Sequence, residues 1–234
     1  MSLRDTLLHL AGKDRFHLDD RIGTGYLLGL CWKYGWMMVR GKCLALGHPA
    51  VSGSVFVGKK VRILEKRRLT LGAKTRLQDG VYIDALSTDG VTVGNQCVLG
   101  RNCRIECTGS LEHLGRGVRI GDRTCFGADC FFGAAGGITV GSDVIAGQNV
   151  RFHSENHRFD DPDLPIRQQG VTHRGITVGN NCWIGAGAVF LDGAALGDGC
   201  VVGANAVVTK AFPANSVIAG VPAKVLQMRG SRHE

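Results

Sequence analysis

Ionisable side chains crowd one stretch of this chain. Residues 153–175 read HSENHRFDDPDLPIRQQGVTHRG and hold three of the eight histidines, with Glu155, Asp160, Asp161, Asp163 and two prolines. Imidazole titrates close to neutral pH, so a histidine here can accept a proton and give it back. That is the equipment of general acid–base chemistry. The stretch is polar and long, and segments of this kind inside an otherwise regular chain are usually functional. The competing reading is a surface excursion that only protects an edge. Asp160, Asp161 and Asp163 fit the turn before Pro162 and Pro165.

The elements around this stretch are set by a period of six. Val178, Ile184, Phe190, Leu196, Val202 and Val208 recur at that spacing, and glycine follows four of them at Gly179, Gly185, Gly197 and Gly203. Small side chains stand four residues after the first five: Cys182, Ala188, Ala194, Cys200 and Ala206. A helix does not repeat every six residues and a plain strand repeats every two. Six fits a three-faced coil in which one aliphatic residue per face points inward and a small residue turns the corner, the hexapeptide signature of a parallel β-helix. Upstream, in-phase groups run Leu71, Leu77, Ile83; Val93, Leu99, Ile105; Leu114, Ile120, Phe126, Phe132; and Val140, Ala146, Phe152. Phase slips fall at 87–90, 109–113 and 134–137, which are glycine-rich or polar as corners should be. The coil is expected to run from about residue 55 to about 217 in roughly seven turns.

Composition agrees with this architecture. Glycine is abundant (35) and proline scarce (5), which suits many tight corners better than a disordered linker. Cys97, Cys103, Cys130, Cys182 and Cys200 occupy small corner positions, where they read as buried small hydrophobes. The chain has no CxxC pair, which argues against a structural zinc site. Such cysteine usage suggests a reducing compartment. Residues 1–20 lack an apolar stretch long enough for a signal peptide, so a cytoplasmic setting is expected. The formal charge is +8. Its one dense run is Lys59, Lys60, Arg62, Lys66, Arg67 and Arg68, either a solvated face or a contact for anionic headgroups or glycan phosphate. No aromatics are interleaved with it, which argues against nucleic acid.

Residues 1–50 fall outside the repeat. Within them 24–40 is apolar and too short for a membrane span, which needs roughly 20 apolar residues. It reads as a helix that caps the first coil or packs in an oligomer, or one that lies on a membrane with Trp32 and Trp36 at headgroup level. The expected organisation is an N-terminal helical capping segment at 1–50, the coil at 51–220 with an ejected loop at 153–175, and a tail at 221–234.

Three stretches carry a specific resemblance: SENHRFDDPDLPIRQQG, ITVGNNCWIGAGAVFLDG and GANAVVTKAFPANSVIAGVPAKVL. In this order they resemble the hexapeptide-repeat acyltransferases, most of all the maltose, galactoside and polysaccharide O-acetyltransferases. The resemblance implies a left-handed parallel β-helix, all-β apart from the N-terminal helix, assembled as a homotrimer with acetyl-CoA sites between subunits. It implies that His157 is the general base, taking the proton of a sugar hydroxyl as it attacks the thioester. Glu155 would orient His157 or bind the acceptor, and His153 and Asn156 would stand on the acceptor side. On the CoA side, Trp183 would line the groove for the pantetheine arm, unless it packs at the trimer interface. Gly185, Ala186, Gly203 and Ala204 would admit that arm, and Thr209, Lys210 and Lys224 would meet its nucleotide end. No metal is implied.

The chain departs from the small-sugar enzymes in the coil before the loop. There it has Ala134, Ala135, Gly136 and Gly137 where polar acceptor-binding residues are expected, and Asp129 is the nearest carboxylate in sequence. This points away from a free disaccharide and toward a bulkier or lipid-linked glycan, in keeping with peripheral membrane contact through 24–40. Other acceptors remain open: an antibiotic, a nucleotide-sugar amine, or serine. A metal lyase of the γ-carbonic anhydrase type would need three histidines on zinc. His153 and His157 could supply two, but His113 is 40 residues away. A non-catalytic scaffold would need neither the loop histidine nor the CoA-type motifs.

Overall fold

The computed structural model describes residue 19 and residues 21–231. From residue 56 the chain winds through three parallel sheets in strict rotation, one short strand per sheet per turn. Face one starts with Phe56–Val57, face two with Arg62–Leu64 and face three with Leu69–Leu71. Faces two and three hold seven strands each, and face one nine, the ninth being the antiparallel return Lys224–Met228. The expected seven turns are therefore present. Every strand stacks in register on the one a turn earlier, as in Phe131↔Arg151↔Val189 and Phe132↔Phe152↔Phe190.

The hexad residues fill the axis. Leu77, Ile83, Leu99, Ile105, Ile184, Phe190 and Val208 are fully buried. Phe132, Phe152 and Phe190 stack ring on ring, with centroids 5.0 and 4.8 Å apart. Leu114 is a correction. It is 44% exposed and lies in an excursion at 107–117, while Val118 and Ile120 supply the inward positions of that coil. The sequence placed it in phase because it stands six residues before Ile120, although the excursion around it breaks the count.

Corners one (face one to two) and three (face three to one) share a device. One residue in each takes a left-handed backbone, for example Asn102, Asp129 and Asn205 at corner one. Asparagine and aspartate tolerate that region better than most side chains. The corner cysteines Cys97, Cys103, Cys130, Cys182 and Cys200 are buried and unbridged. Their thiols point at carbonyls of neighbouring coils, as Cys97 Sγ does at Gly121 O, 3.0 Å away. Burial pushes the thiols of Cys107 and Cys182 up to about 12 and about 11, so both stay protonated at neutral pH.

Helix α1, Thr24–Ala45, lies against the first coil. Leu27, Met37 and Gly41 face inward. A Cβ at Gly41 would strike the Val55 carbonyl, so glycine is what lets the helix approach. The Arg40 Nε donates to Val57 O at 2.8 Å, satisfying an edge carbonyl of the first strand.

Candidate active site

Corner two, between faces two and three, is where the regular coil is interrupted. The excursion 107–117 and the loop 154–175 both leave from it, separated by one tight corner, 134–137. That spacing explains the small residues between them. A Cβ on Gly136 would run into Ser154 O, and one on Gly115 would lie 2.8 Å from Ala135 Cα. A side chain at 136 has no room between the two excursions, while Ala135 lines the groove with a bare methyl.

Both ends of the loop are pinned. Ser154 is buried; its hydroxyl donates to Gly133 O (2.9 Å) and accepts from Gly136 N (3.0 Å). At the return, the carboxylate of Asp192, 6% exposed, accepts from the N–H groups of Arg174 and Gly175, both at 2.8 Å, and from Thr172 Oγ1 at 3.2 Å. Between the pins, Asn156–His157 pairs antiparallel with Val171–Thr172 and forms a two-stranded arm. The Gln169 side chain closes the tip, accepting from Asp161 N and donating to Asp161 O.

His157 therefore stands on a braced arm. With Glu106, Thr108, Phe131, His153 and Glu155 it lines a groove of about 250 Å³. His157 is exposed, and its ring makes no hydrogen bond within the described residues. Glu155 is not its partner. Glu155 Oε2 lies 2.7 Å from His173 Nε2, so this carboxylate ties the arm to the loop's return. His153 lies on the last face-two strand before the loop, its ring centroid 5.4 Å from that of Phe131. Burial first, and Arg151 second, push the His153 imidazole below its ordinary pKa, so it is neutral at pH 7. Glu106, two strands earlier in the same register, is held by Arg104. Asn156 alternates to the other side of the arm and is not among the lining residues.

A family model described as bacterial transferase hexapeptide (six repeats) matches residues 175–210. A second, the hexapeptide repeat of succinyl-transferase, matches residues 117–150. The chain belongs to the hexapeptide-repeat acyltransferase family. A Mycobacterium tuberculosis protein named as a probable acetyltransferase is 30% identical over 194 residues, covering 83% of this chain and 56% of that protein. Galactoside O-acetyltransferase of Escherichia coli is 37% identical over 91 residues, covering 38% of this chain and 43% of the enzyme. The chain spans about half the length of the curated relatives it matches. Among solved structures, a mutant of the N-acyltransferase AntD from Bacillus cereus, in complex with dTDP and coenzyme A, superposes with a TM-score of 0.50. It is 18% identical, over 75% of this chain and 81% of that one. The fold of this hexapeptide-repeat chain is the left-handed parallel β-helix.

The residues carried over for CoA do not form one patch. Trp183 projects from face one, 59% exposed, between Ile145 and Val201 on neighbouring strands. Ala186 and Ala204 lie beside it at corner one, and Lys224 pairs with Ala219 at the same end. Thr209 and Lys210 sit at corner two, on the loop's side of the coil. Gly185 and Gly203 have a role their motif did not reveal. A Cβ on Gly185 would lie 2.5 Å from Ala204 N, and one on Gly203 would lie 2.8 Å from Ala219 Cβ. Their missing side chains let successive coils stack. Asp129 is also displaced from its expected place. It turns corner one, with a φ of 61°, and accepts from Asn102 Nδ2 at 3.1 Å, while the groove lies at corner two.

Sequence reading missed Asp192, Ser154, His173, Glu106 and Phe131. Asp192 had one visible signal: Phe190 is an inward hexad residue not followed by glycine. Ser154, Glu106 and Phe131 are recruited by stacking between coils and His173 by the loop folding back on itself, and sequence distance hides both.

Proposed function

We propose that the protein is an acetyl-CoA-dependent O-acetyltransferase that modifies a hydroxyl of a sugar in a surface polysaccharide or lipid-linked glycan. The observation that carries this is His157, unpaired on a braced arm at a groove that also holds two carboxylates and a neutral imidazole. A hydroxyl is a poor nucleophile at neutral pH. His157 removes its proton as the oxygen attacks the thioester carbonyl, and returns that proton to the departing CoA thiolate. Atoms balance: an ester and a free thiol replace a hydroxyl and a thioester. Glu106 and neutral His153 are placed to hold neighbouring hydroxyls of the acceptor.

Within one chain His157 at corner two and Trp183 on face one lie on different sides of the coil. A site using both takes the first from one subunit and the second from another, which supports a homotrimer with sites between subunits. The exposed strip of Ile145, Trp183 and Val201, ending near Lys224, suits an apolar arm that carries phosphates at its end. Nine free cysteines and this co-substrate fit a cytoplasmic setting, with peripheral contact at the membrane through residues 24–40.

The test is thiol release from acetyl-CoA with sugars, lipid-linked glycan fragments and amines as acceptors. Release is expected only with an acceptor, and His157→Ala should lower it by about 10²–10⁴-fold with CoA binding retained. Acceptor-dependent release that survives His157→Ala removes the proposed base. Preferred transfer to an amine replaces the hydroxyl reading.

A further inference from the structure

Two features at the N-terminal end of the coil take no part in the site. One is the outer side of α1. Leu28, Trp32, Trp36 and Val39 form a stripe at helical spacing, and Trp32 is 71% exposed. The Trp32 and Trp36 rings meet edge to face with centroids 5.8 Å apart. The helix carries Lys33, Arg40 and Lys42 but no carboxylate. Its inner side is already buried on the first coil, so this second apolar side is not needed to hold it there.

The other feature is the charge of the first coil. Lys59, Lys60, Arg62, Lys66, Arg67 and Arg68 are all exposed. Among the described residues none of them is in an ion pair with a carboxylate. Only Arg68 is occupied, donating to the carbonyls of Ser87 and Thr88. The two features are joined. The Tyr34 ring packs on Phe56 (centroids 6.1 Å apart), Arg40 bonds Val57 O, and the cationic run begins two residues later at Lys59.

We infer that this end docks on an anionic phospholipid bilayer. Trp32 and Trp36 enter the headgroup layer, and the cations of the first coil meet its phosphates. A second copy would be a poor occupant, because apposed stripes would bring two unpaired cationic coils together. No helix among the described residues is long and apolar enough to cross the membrane, so the contact is peripheral. His157 follows the fifth strand of face two, whereas the first belongs to the cationic coil. Four strand spacings of about 4.8 Å put it roughly 19 Å along the axis from the docked end. This inference deepens the peripheral contact proposed for residues 24–40, naming the surface and the cations that meet it, and stands without the acyl-transfer reading.

The test is sedimentation of the full chain with vesicles of phosphatidylcholine containing phosphatidylglycerol, against pure phosphatidylcholine. Binding is expected only to the anionic vesicles, and 0.5 M salt should release it. Each basic side chain near such a surface contributes roughly fivefold. The combined variant Lys59→Gln, Lys60→Gln, Arg62→Gln, Lys66→Gln, Arg67→Gln should therefore bind at least ~100-fold more weakly. In a Trp183→Phe background, tryptophan emission should shift to the blue on binding, and Trp32→Ser with Trp36→Ser should abolish attachment while melting stays unchanged. Equal binding to neutral vesicles, or none to anionic ones, overturns the inference. So does a fall in oligomer mass on the tryptophan substitutions with vesicle binding intact, since a second copy would then cover the stripe.

Discussion

Replacing Asp192 with alanine should disable the enzyme from a position that touches no substrate. The carboxylate holds two backbone N–H groups at the loop's return, Arg174 and Gly175, and the Thr172 hydroxyl at the base of the arm. Hydrogen bonds to a charged acceptor are worth about 1.5–3 kcal/mol each, and less where water can replace them. Arg174 is exposed and Gly175 half-buried, so water reaches the freed donors. A loss of about 2–4 kcal/mol in arm placement is the working figure. Carried wholly into turnover, that is ~30- to 1000-fold. The assay is kcat and KM for acetyl transfer, with backbone hydrogen exchange over 156–172. Exchange there should quicken, kcat should fall, and CoA affinity should hold, because Trp183 and corner one are remote. Asp192→Asn keeps an acceptor oxygen and should recover part of the loss. If Asp192→Ala turns over within twofold of wild type while His157→Ala is inactive, the arm does not depend on this anchor and the positioning argument fails.

Gly185→Leu should lower stability by several kcal/mol in denaturant unfolding, equally with and without CoA, since the added side chain strikes the next coil at Ala204; a variant of normal stability that loses only CoA affinity would restore the channel reading. His153 should titrate below 6.5 in an NMR pH series. The unfolded chain then binds more protons than the folded one in that range, so stability is fully present above the ordinary histidine pKa and falls as pH drops through it. A slope of the opposite sign, reversed by His153→Gln, would contradict the burial argument.

The period of six was legible because it is a local steric rule. Each face allows one inward side chain per short strand and each corner one small residue, so the core from Leu77 to Val208 is written along the chain. The loop at 153–175 was legible for the same reason, as a break in that rule, and His157 does line the groove. Leu114 shows the limit: a residue that happens to stand six before an inward one looks like coil even when it lies in an excursion.

What the sequence could not state is which residues of different turns meet. Stacking brings Glu106 and His153 to one groove across 47 positions and sets Asp192 under the loop's return, while the loop's own folding ties Glu155 to His173. It also sends Asp129 to another corner and makes Gly185 a matter of coil packing. Sequence alone determined the coil, its core and the segment that leaves it, because those follow from nearest-neighbour sterics. The tertiary structure decided the groove's composition, the anchors of the arm and the separation of His157 from Trp183, because contacts between turns depend on the length of every corner in between.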